Sequence, residues 1–314
     1  MSGPSRFALA SAVLAALLCT AAPAGAQDAA WSDVVAVARG QTVRWNAWAG
    51  DEKTNEFIAW VGDEVGRRYG VKVVHVKLRD TAEAVTRVVA EKAAGRDGGG
   101  SVDLVWINGA NFLALREQKL LYGPYAERLP NWRYVDTAHK RSNLIDFTIP
   151  HEGYESPWRM AQVVFVYDGR RVGDPPSSVA ALGAWAKAHP GRFTHPNVRN
   201  FLGSTFLKQA LYELAPDPSV LQRPATDANF AAATAPMWAW YDALKPSLWR
   251  GGAQFPENGP AQRQLMNDGE IDVMVSFNPS DRTLDRRRSL FHTSRQFWRP
   301  STSTSAAAPA ASRR

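Results

Sequence analysis

Residues 42–62 constrain the fold more than any other part of the chain. Thr42 to Trp48 alternates apolar and polar residues, which predicts a strand, and apolar residues then recur at helical spacing. Gly50 interrupts the strand, and Asp51 can accept hydrogen bonds from the first N–H groups of the helix. Ligands of open α/β sheets bind at the carboxyl ends of the strands. We therefore predict ligand contacts at Asn46, Trp48, Gly50 and Asp51.

The same order of elements follows twice more along the chain. Strands are predicted over 71–78 and 102–107, each followed by an amphipathic helix, which indicates an α/β fold with a mainly parallel sheet. The loop after the third strand repeats the Asn, Gly and Trp of the first loop. We predict further contacts there at Asn108, Gly109 and Asn111. Backbone N–H groups at these helix starts would suit a phosphate or carboxylate on the ligand.

A second α/β unit is predicted after a run containing prolines and a glycine at 149–158. This places a first lobe at 27–155 and a second at 156–280, with strands at 162–167 and 271–277. The predicted contacts of the hinge and second lobe are Ser156, Trp158, Asn200, Gly203, Ser204, Thr205, Asn258, Ser276 and Asn278. Each also has a purely structural interpretation, as a helix cap, a turn residue or part of the core.

The first 26 residues have the features of a signal peptide. An apolar run at 7–18 precedes the small residues Ala24, Gly25 and Ala26, and it is too short for a stable membrane anchor. We expect a soluble, monomeric, periplasmic protein. The single cysteine, Cys19, lies in this segment, so the exported chain would have no disulfide and no thiolate chemistry.

The net charge of +7 is concentrated near the end of the sequence. Residues 281–314 contain eight Arg and two Asp, whereas residues 27–280 are neutral, which argues against nucleic acid as a partner. The 281–314 segment is rich in Arg, Ser, Ala and Pro without periodicity, and this predicts disorder. A functional basic arm is one explanation. We favour a frameshift near codon 280, since the domain-like sequence stops at a strand that nothing completes.

Motifs for catalysis or metal binding are missing from the sequence. The histidines are scattered, without a pair at ligand spacing on a helix, and no nucleophile elbow, P-loop or dinucleotide fingerprint occurs. We predict a binding protein without cofactor or metal. The alternatives are a periplasmic hydrolase of a saccharide or ester, using Glu152 and Glu155 as paired carboxylates, and a non-functional frameshifted product.

Four stretches together resemble the YnjB-type ABC-transporter solute-binding proteins, a group of type II periplasmic binding proteins. They are RGQTVRWNAWAGDEKTNEFIAWV, SVDLVWINGANF, LPNWRYVD and ESPW, and the similarity runs from about Trp31 to Asn278. The resemblance implies two α/β lobes, each a mainly parallel sheet flanked by helices, with a small polar or aromatic solute in the cleft between them. It also implies delivery of that solute to ABC permease subunits in the inner membrane.

Two further expectations accompany this resemblance. The family returns to the first lobe after completing the second, and here the basic tail replaces that return, so the fold is expected to be incomplete after about residue 280. The many tryptophans favour an organic cation with a ring, or a sugar-sized solute, as the ligand.

Overall fold

The computed structural model describes residues 30–278, 288–291 and 302–309 of the 314-residue chain. The predicted signal peptide lies outside the described residues. Helix α1 (Trp31–Ala38) falls almost entirely in a small separate unit, and the residues from Ala38 onward form one compact unit that contains all the strands. Among the described residues, the helices are all too short or too polar to cross a membrane.

The first sheet follows the predicted alternation of strands and helices. Its elements are β1 (Thr42–Trp48), α2 (Glu52–Tyr69), β2 (Lys72–Leu78), α3 (Ala82–Ala93), β3 (Leu104–Ile107), α4 (Ala110–Glu117) and β4 (Leu121–Tyr122). Strand β1 lies between β2 and β3 and runs parallel to both. This part of the predicted fold is confirmed, because a helix connects each of these strands to the next one along the chain and the paired strands are parallel.

The crossing between the two sheets lies later than predicted. A small hairpin of β5 (Ile145–Asp146) and β6 (Ile149–Pro150) precedes β7 (Ser156–Ala161), which pairs with β11 (Thr302–Pro309) of the first sheet. The chain therefore reaches the second sheet after Ala161, not at 155. Within this run Gly153 lies in a turn, whereas Pro150 belongs to β6 and Pro157 to β7.

The second sheet consists of three strands in the order β10-β8-β9. Its elements are β8 (Val164–Asp168), α5 (Val179–Ala188), α6 (Phe201–Leu214), α7 (Asp227–Leu244), α8 (Gly259–Asn267), β9 (Val273–Ser276) and β10 (Arg288–Phe291). Both neighbours of β8 are antiparallel to it, so the expectation of a mainly parallel second sheet is wrong for the described strands. Four helices separate β8 from β9 along the chain, and a connection of this length is compatible with either strand orientation.

Two strands lie within the segment that was expected to be disordered. Strand β10 pairs with β8, and β11 inserts between β3 and β4, antiparallel to both. The prediction therefore fails for residues 288–291 and 302–309, and β11 supplies a return to the first sheet. Strand pairing uses backbone N–H and C=O groups, and every residue except proline carries both. A low apolar content does not prevent a segment from joining an existing sheet edge.

Each sheet has its own hydrophobic core. The first core includes Ile107, Phe112 and Leu115, and the second includes Phe165 and Phe206, all of them fully buried. Separate cores allow two sheets of one compact unit to form opposite sides of a cleft.

Candidate functional site

A cleft that is partly open to solvent separates the carboxyl ends of β1 and β3 from the starts of α6 and α8. Its aromatic lining consists of Trp48, Trp106, Phe147, Phe201 and Phe277, and its charged lining of Arg79, Asp80, Arg159 and Arg263. We name one side the first wall; it is formed by Trp48, Arg79, Asp80, Trp106, Asn108, Phe147 and Arg159. The second wall is formed by residues 200–202, Gly259, Pro260, Arg263 and residues 274–278.

Packed indole rings support the first wall. The ring of Trp106 meets Trp158 edge-on at a centroid distance of 4.8 Å and Trp48 at 6.2 Å. Trp158 also packs against Trp45 at 4.9 Å. Edge-to-face contacts of this kind fix ring orientations as well as burying area. Trp158 thus lies behind the cleft lining, where it orients Trp106.

The start of helix α2 positions Arg159. Asp51 is the N-cap of α2, and its Oδ2 accepts hydrogen bonds from the Thr54 amide at 2.9 Å and the Thr54 hydroxyl at 2.5 Å. The Thr54 hydroxyl in turn accepts a bond of 2.8 Å from the Arg159 guanidinium. A buried helix cap therefore orients a cationic side chain of the cleft.

The two walls contact each other at three points around the cleft. Asp80 Oδ2 lies 3.4 Å from the amide nitrogen of Phe201, at the start of α6. The rings of Phe147 and Phe201 meet edge-on at 6.0 Å. A Cβ atom on Gly50 would lie 2.3 Å from the Trp48 ring and 3.0 Å from Pro260. Only glycine permits so close an approach of the walls at this point.

The buried carboxyl of Asp146 and the half-buried ammonium of Lys208 interact electrostatically near these contacts. The Asp146 carboxylate accepts a hydrogen bond from the amide of Gly109, and the Lys208 ammonium lies 5.3 Å from the centre of the Phe147 ring. Burial raises the pKa of Asp146 to about 7, although the Gly109 bond and the charge of Lys208 oppose this. Burial likewise lowers the pKa of Lys208, against the attraction of Asp146.

The predicted contact residues divide into those that line the cleft and those that do not. The lining residues are Trp48, Asn108, Asn200, Ser276 and Asn278. Gly50 lies at the closest approach of the walls, and Asp51 and Trp158 stand behind the first wall. The others lie outside the described lining: Asn46, Gly109, Asn111, Ser156, Gly203, Ser204, Thr205 and Asn258.

Most of these outlying residues have a clear structural role. Asn46 is fully buried on β1 and accepts a 3.0 Å bond from Arg87. Asn258 caps α8 through a 3.0 Å bond from the amide of Ala261. Helix α6 begins at Phe201, so the predicted loop at 200–205 is helical from its second residue. The hydroxyls of Ser204 and Thr205 donate to the Phe201 carbonyl, and Gly203 packs against the backbone at Pro196.

The helix starts around the cleft are already capped by side chains of the protein. In α2 and α6, an amide of the first turn donates to a side chain of the residue before the helix, Asp51 and Asn200 respectively. The amide of Gly109, just before α4, donates to Asp146. Asp80 accepts amide bonds from both α3 and α6. The expectation that these N–H groups await a ligand anion therefore loses its basis at the capped amides.

Sequence reasoning missed the arginines and several aromatic residues of the cleft. Trp106 and Asn108 flank the end of the same strand. The rule that ligands bind at the carboxyl ends of strands therefore applies to Trp106 as well. Arg79 and Asp80 follow β2 and obey the same rule. Arg159 and Arg263 reach the cleft from within β7 and α8, and no local pattern identifies such positions.

The structure gives no support to paired catalytic carboxylates. Glu152 forms an ion pair with Arg116 and Glu155 is fully buried, and neither lines the cleft. Within the described part of the chain, no group of three or more His, Cys, Asp or Glu side chains is placed to hold a metal ion.

Comparisons with known proteins give a consistent result. A sequence profile described as "Bacterial extracellular solute-binding protein" matches residues 60–283. Protein YnjB of Escherichia coli K12 is 44% identical over 250 residues, which are 80% of this chain and 64% of YnjB. The match thus spans less than two thirds of the length of that relative.

Solved structures of low sequence identity share the fold. The Tp0655 (TpPotD) lipoprotein of Treponema pallidum has a TM-score of 0.61 at 14% identity, covering 87% of this chain and 76% of its own. A putative spermidine/putrescine ABC transporter protein from Listeria monocytogenes has a TM-score of 0.59 at 16% identity, covering 87% and 74%. The two-lobe α/β fold predicted from the sequence is thereby confirmed.

Proposed function

Because the chain belongs to the family of bacterial extracellular solute-binding proteins, we propose that it binds a small solute in the cleft and presents it to an ABC importer. The observation that carries this proposal is the cleft itself, which is lined by aromatic and polar residues of both sheets. Sites of this kind, concave and aromatic with few polar anchors, suit small molecules.

The proposed mechanism is closure of the two walls on the solute. A ligand shifts a conformational equilibrium only by its differential affinity for the two states. A solute that contacts Trp48 and Asn108 on one side and Asn200, Ser276 and Asn278 on the other binds most tightly when the walls are close. The Asp80–Phe201 and Phe147–Phe201 contacts would then form together with the solute contacts.

The partners follow from the same proposal. We assign the protein to the outer side of the cytoplasmic membrane, as a monomer that delivers its solute to permease subunits in the inner membrane. The support for this assignment comes from the family description and from structural neighbours that are named as ABC transporter proteins, and only part of the length of YnjB is matched. Removal of residues 1–26 as a signal peptide belongs to this proposal.

Distance measurements between two spin labels would test closure. Glu56 on α2 and Lys187 on α5 are exposed, and the only native cysteine is Cys19 in the predicted signal peptide. We expect a small-molecule extract of the periplasm to shorten the distance in the E56C/K187C double variant. The E56C/R96C pair, with both labels on the first sheet's side, should not change.

Either of two results would overturn the proposal. One is an unchanged E56C/K187C distance with every extract tested. The other is chemical conversion of a solute that closes the cleft, followed by mass spectrometry, because a binding protein returns its ligand unaltered.

A further inference from the structure

The charged residues of the cleft indicate the charge of its solute. Among the described residues, three arginines line the cleft, Arg79, Arg159 and Arg263, against one carboxylate, Asp80. The solute-binding function proposed above is the premise of this step. A cationic solute would enter a cleft in which positive side chains outnumber negative ones.

The Asp80 carboxylate already accepts hydrogen bonds from three groups of the protein. Its Oδ1 accepts a 3.0 Å bond from the amide of Ala82, and its Oδ2 faces the amide of Phe201 and the side-chain amide of Asn200. The carboxylate thus neutralises the positive end of α6 from the opposite wall. A cation that recruited Asp80 would break this contact between the walls.

The three arginines differ in their exposure to solvent. Arg79 is 79% exposed and lies 3.6 Å from Glu83 and 3.8 Å from Glu257, so its charge is largely screened at the rim. Arg159 and Arg263 are half-buried. Their charges act in a partly water-excluded space, where electrostatic interactions are stronger than in bulk water.

Arg159 and Arg263 also belong to opposite walls. Arg159 projects from β7 and is oriented by Thr54, whereas Arg263 projects from α8. A guanidinium carries five N–H donors in a plane that matches the oxygens of carboxylate, sulfonate or phosphate groups. An oxyanion between these two residues would be held by both walls, and its binding would favour closure.

The aromatic lining indicates the remainder of the solute. Trp48, Trp106 and Phe277 present apolar faces. The described lining comprises twenty residues, more than an inorganic anion alone would contact. An apolar or ring-bearing body suits this lining better than a fully hydroxylated one.

We propose that the solute is an organic oxyanion, held at its acidic group by Arg159 and Arg263 and at its apolar body by the tryptophans of the first wall. This assignment replaces the expectation of an organic cation or a sugar. That expectation considered the tryptophans without the arginines beside them.

Calorimetry with defined probes tests this inference. We would titrate the exported protein with phenyl phosphate and benzenesulfonate, and separately with spermidine and maltose. We expect at least one anion to bind, more weakly as NaCl is raised from 50 to 500 mM. R159Q and R263Q should each weaken that binding at least tenfold. R159K and R263K should recover part of it, and R133Q, at an exposed position outside the cleft lining, should leave it unchanged.

Three results would overturn the inference. The first is that neither anion binds, and the second is that spermidine or maltose binds more tightly than both. The third is unchanged anion affinity in R159Q and R263Q, with thermal midpoints that show folded variants. The label-distance experiment with periplasmic extract is independent of these outcomes. A cleft that closes on extract but rejects both anions would retain the proposed function and refute only the solute class.

Discussion

The two walls of the cleft are built in different ways. In the first wall the indoles of Trp48, Trp106 and Trp158 pack edge-on, and Arg159 is fixed from behind by the capping bonds of α2. The second wall consists of the starts of α6 and α8 together with the end of β9. Packed indole rings define the shape of the first wall, whereas capped backbone, short polar side chains and the rings of Phe201 and Phe277 define the second.

This difference indicates that the two walls contribute differently to solute binding. Packed rings keep their geometry whether or not a solute is present, so the first wall is preorganised. The second wall meets the first at Phe201 and Pro260, and such contacts can be exchanged when the cleft opens. We therefore expect substitutions in the first wall to lower both the stability of the protein and its affinity for the solute. Substitutions at the contacts between the walls should instead change the closure of the cleft.

The largest expected effect follows removal of the ring behind the first wall. W158A should lower the free energy of unfolding by about 4 kcal/mol, because it leaves a cavity between Trp45 and Trp106. Urea denaturation measures this as a lower midpoint at an unchanged slope. The matched control is W60A. Because Trp60 is 56% exposed, its removal should lower the free energy of unfolding by about 0.5 kcal/mol or less. Equal losses in the two variants would contradict the role given to Trp158.

The second prediction concerns a histidine behind the second wall. His195 is fully buried, with its ring nitrogens 2.8 Å from the Pro196 carbonyl and 2.9 Å from the Tyr241 hydroxyl. Burial lowers the pKa of His195 to about 4, despite the Pro196 bond. The unfolded chain binds a proton near pH 6.5 and the folded chain only near pH 4. The contribution of neutral His195 to the free energy of unfolding is therefore present in full above pH 6.5 and is lost as the pH falls towards 4.

Denaturation at a series of pH values measures the size of this effect. The wild-type protein should lose about 3 kcal/mol from His195 between pH 6.5 and 4. H195Q should show a correspondingly smaller loss over this range, whatever its stability at neutral pH. H139Q changes a side chain that is 87% exposed and should retain the wild-type slope. An unaltered slope in H195Q would refute the assignment.

A third prediction addresses the closest approach of the walls. G50A places a methyl group 2.3 Å from the Trp48 ring and 3.0 Å from Pro260, so the ring must move or the walls must separate. We expect a loss of about 2 kcal/mol in stability, with a longer E56C/K187C label distance in the presence of extract. The control is G62A in the interior of α2, where a Cβ would lie 3.5 Å from Val73. That change should be neutral or stabilise by up to about 1 kcal/mol.

The smallest effect is expected for a direct solute contact. W48A should weaken binding of the anionic probe about tenfold, or about 1.4 kcal/mol, because it removes one aromatic face of the cleft. Calorimetry at matched salt measures the change. Full affinity in W48A would remove this residue from the site.

The sequence predicts the first wall better than the second. Strand-to-helix loops recur with a regular pattern, so the bounds of β1 and the cap Asp51 follow from local rules. Local rules do not reveal whether a cap also faces a ligand. Asp51 and Asn258 match the predicted pattern, yet both are occupied by helix amides.

Other parts of the site depend on tertiary structure and could not be predicted locally. Arg159 lies inside a strand and Arg263 inside a helix, and only the approach of the two sheets brings them to one cleft. Strand β11 has few apolar residues, and its place depends on edges offered by β3, β4 and β7. The composition of a segment indicates how much apolar area it can bury by itself. It does not indicate whether the backbone of the segment can pair with the edge of a neighbouring sheet.

A crystal structure of the protein purified with its endogenous solute would test the account most directly. We predict density for a small molecule in contact with both walls, its acidic group between Arg159 and Arg263 and its body against Trp48. A solute bound to one wall only, or outside the cleft lined by these residues, would contradict the account.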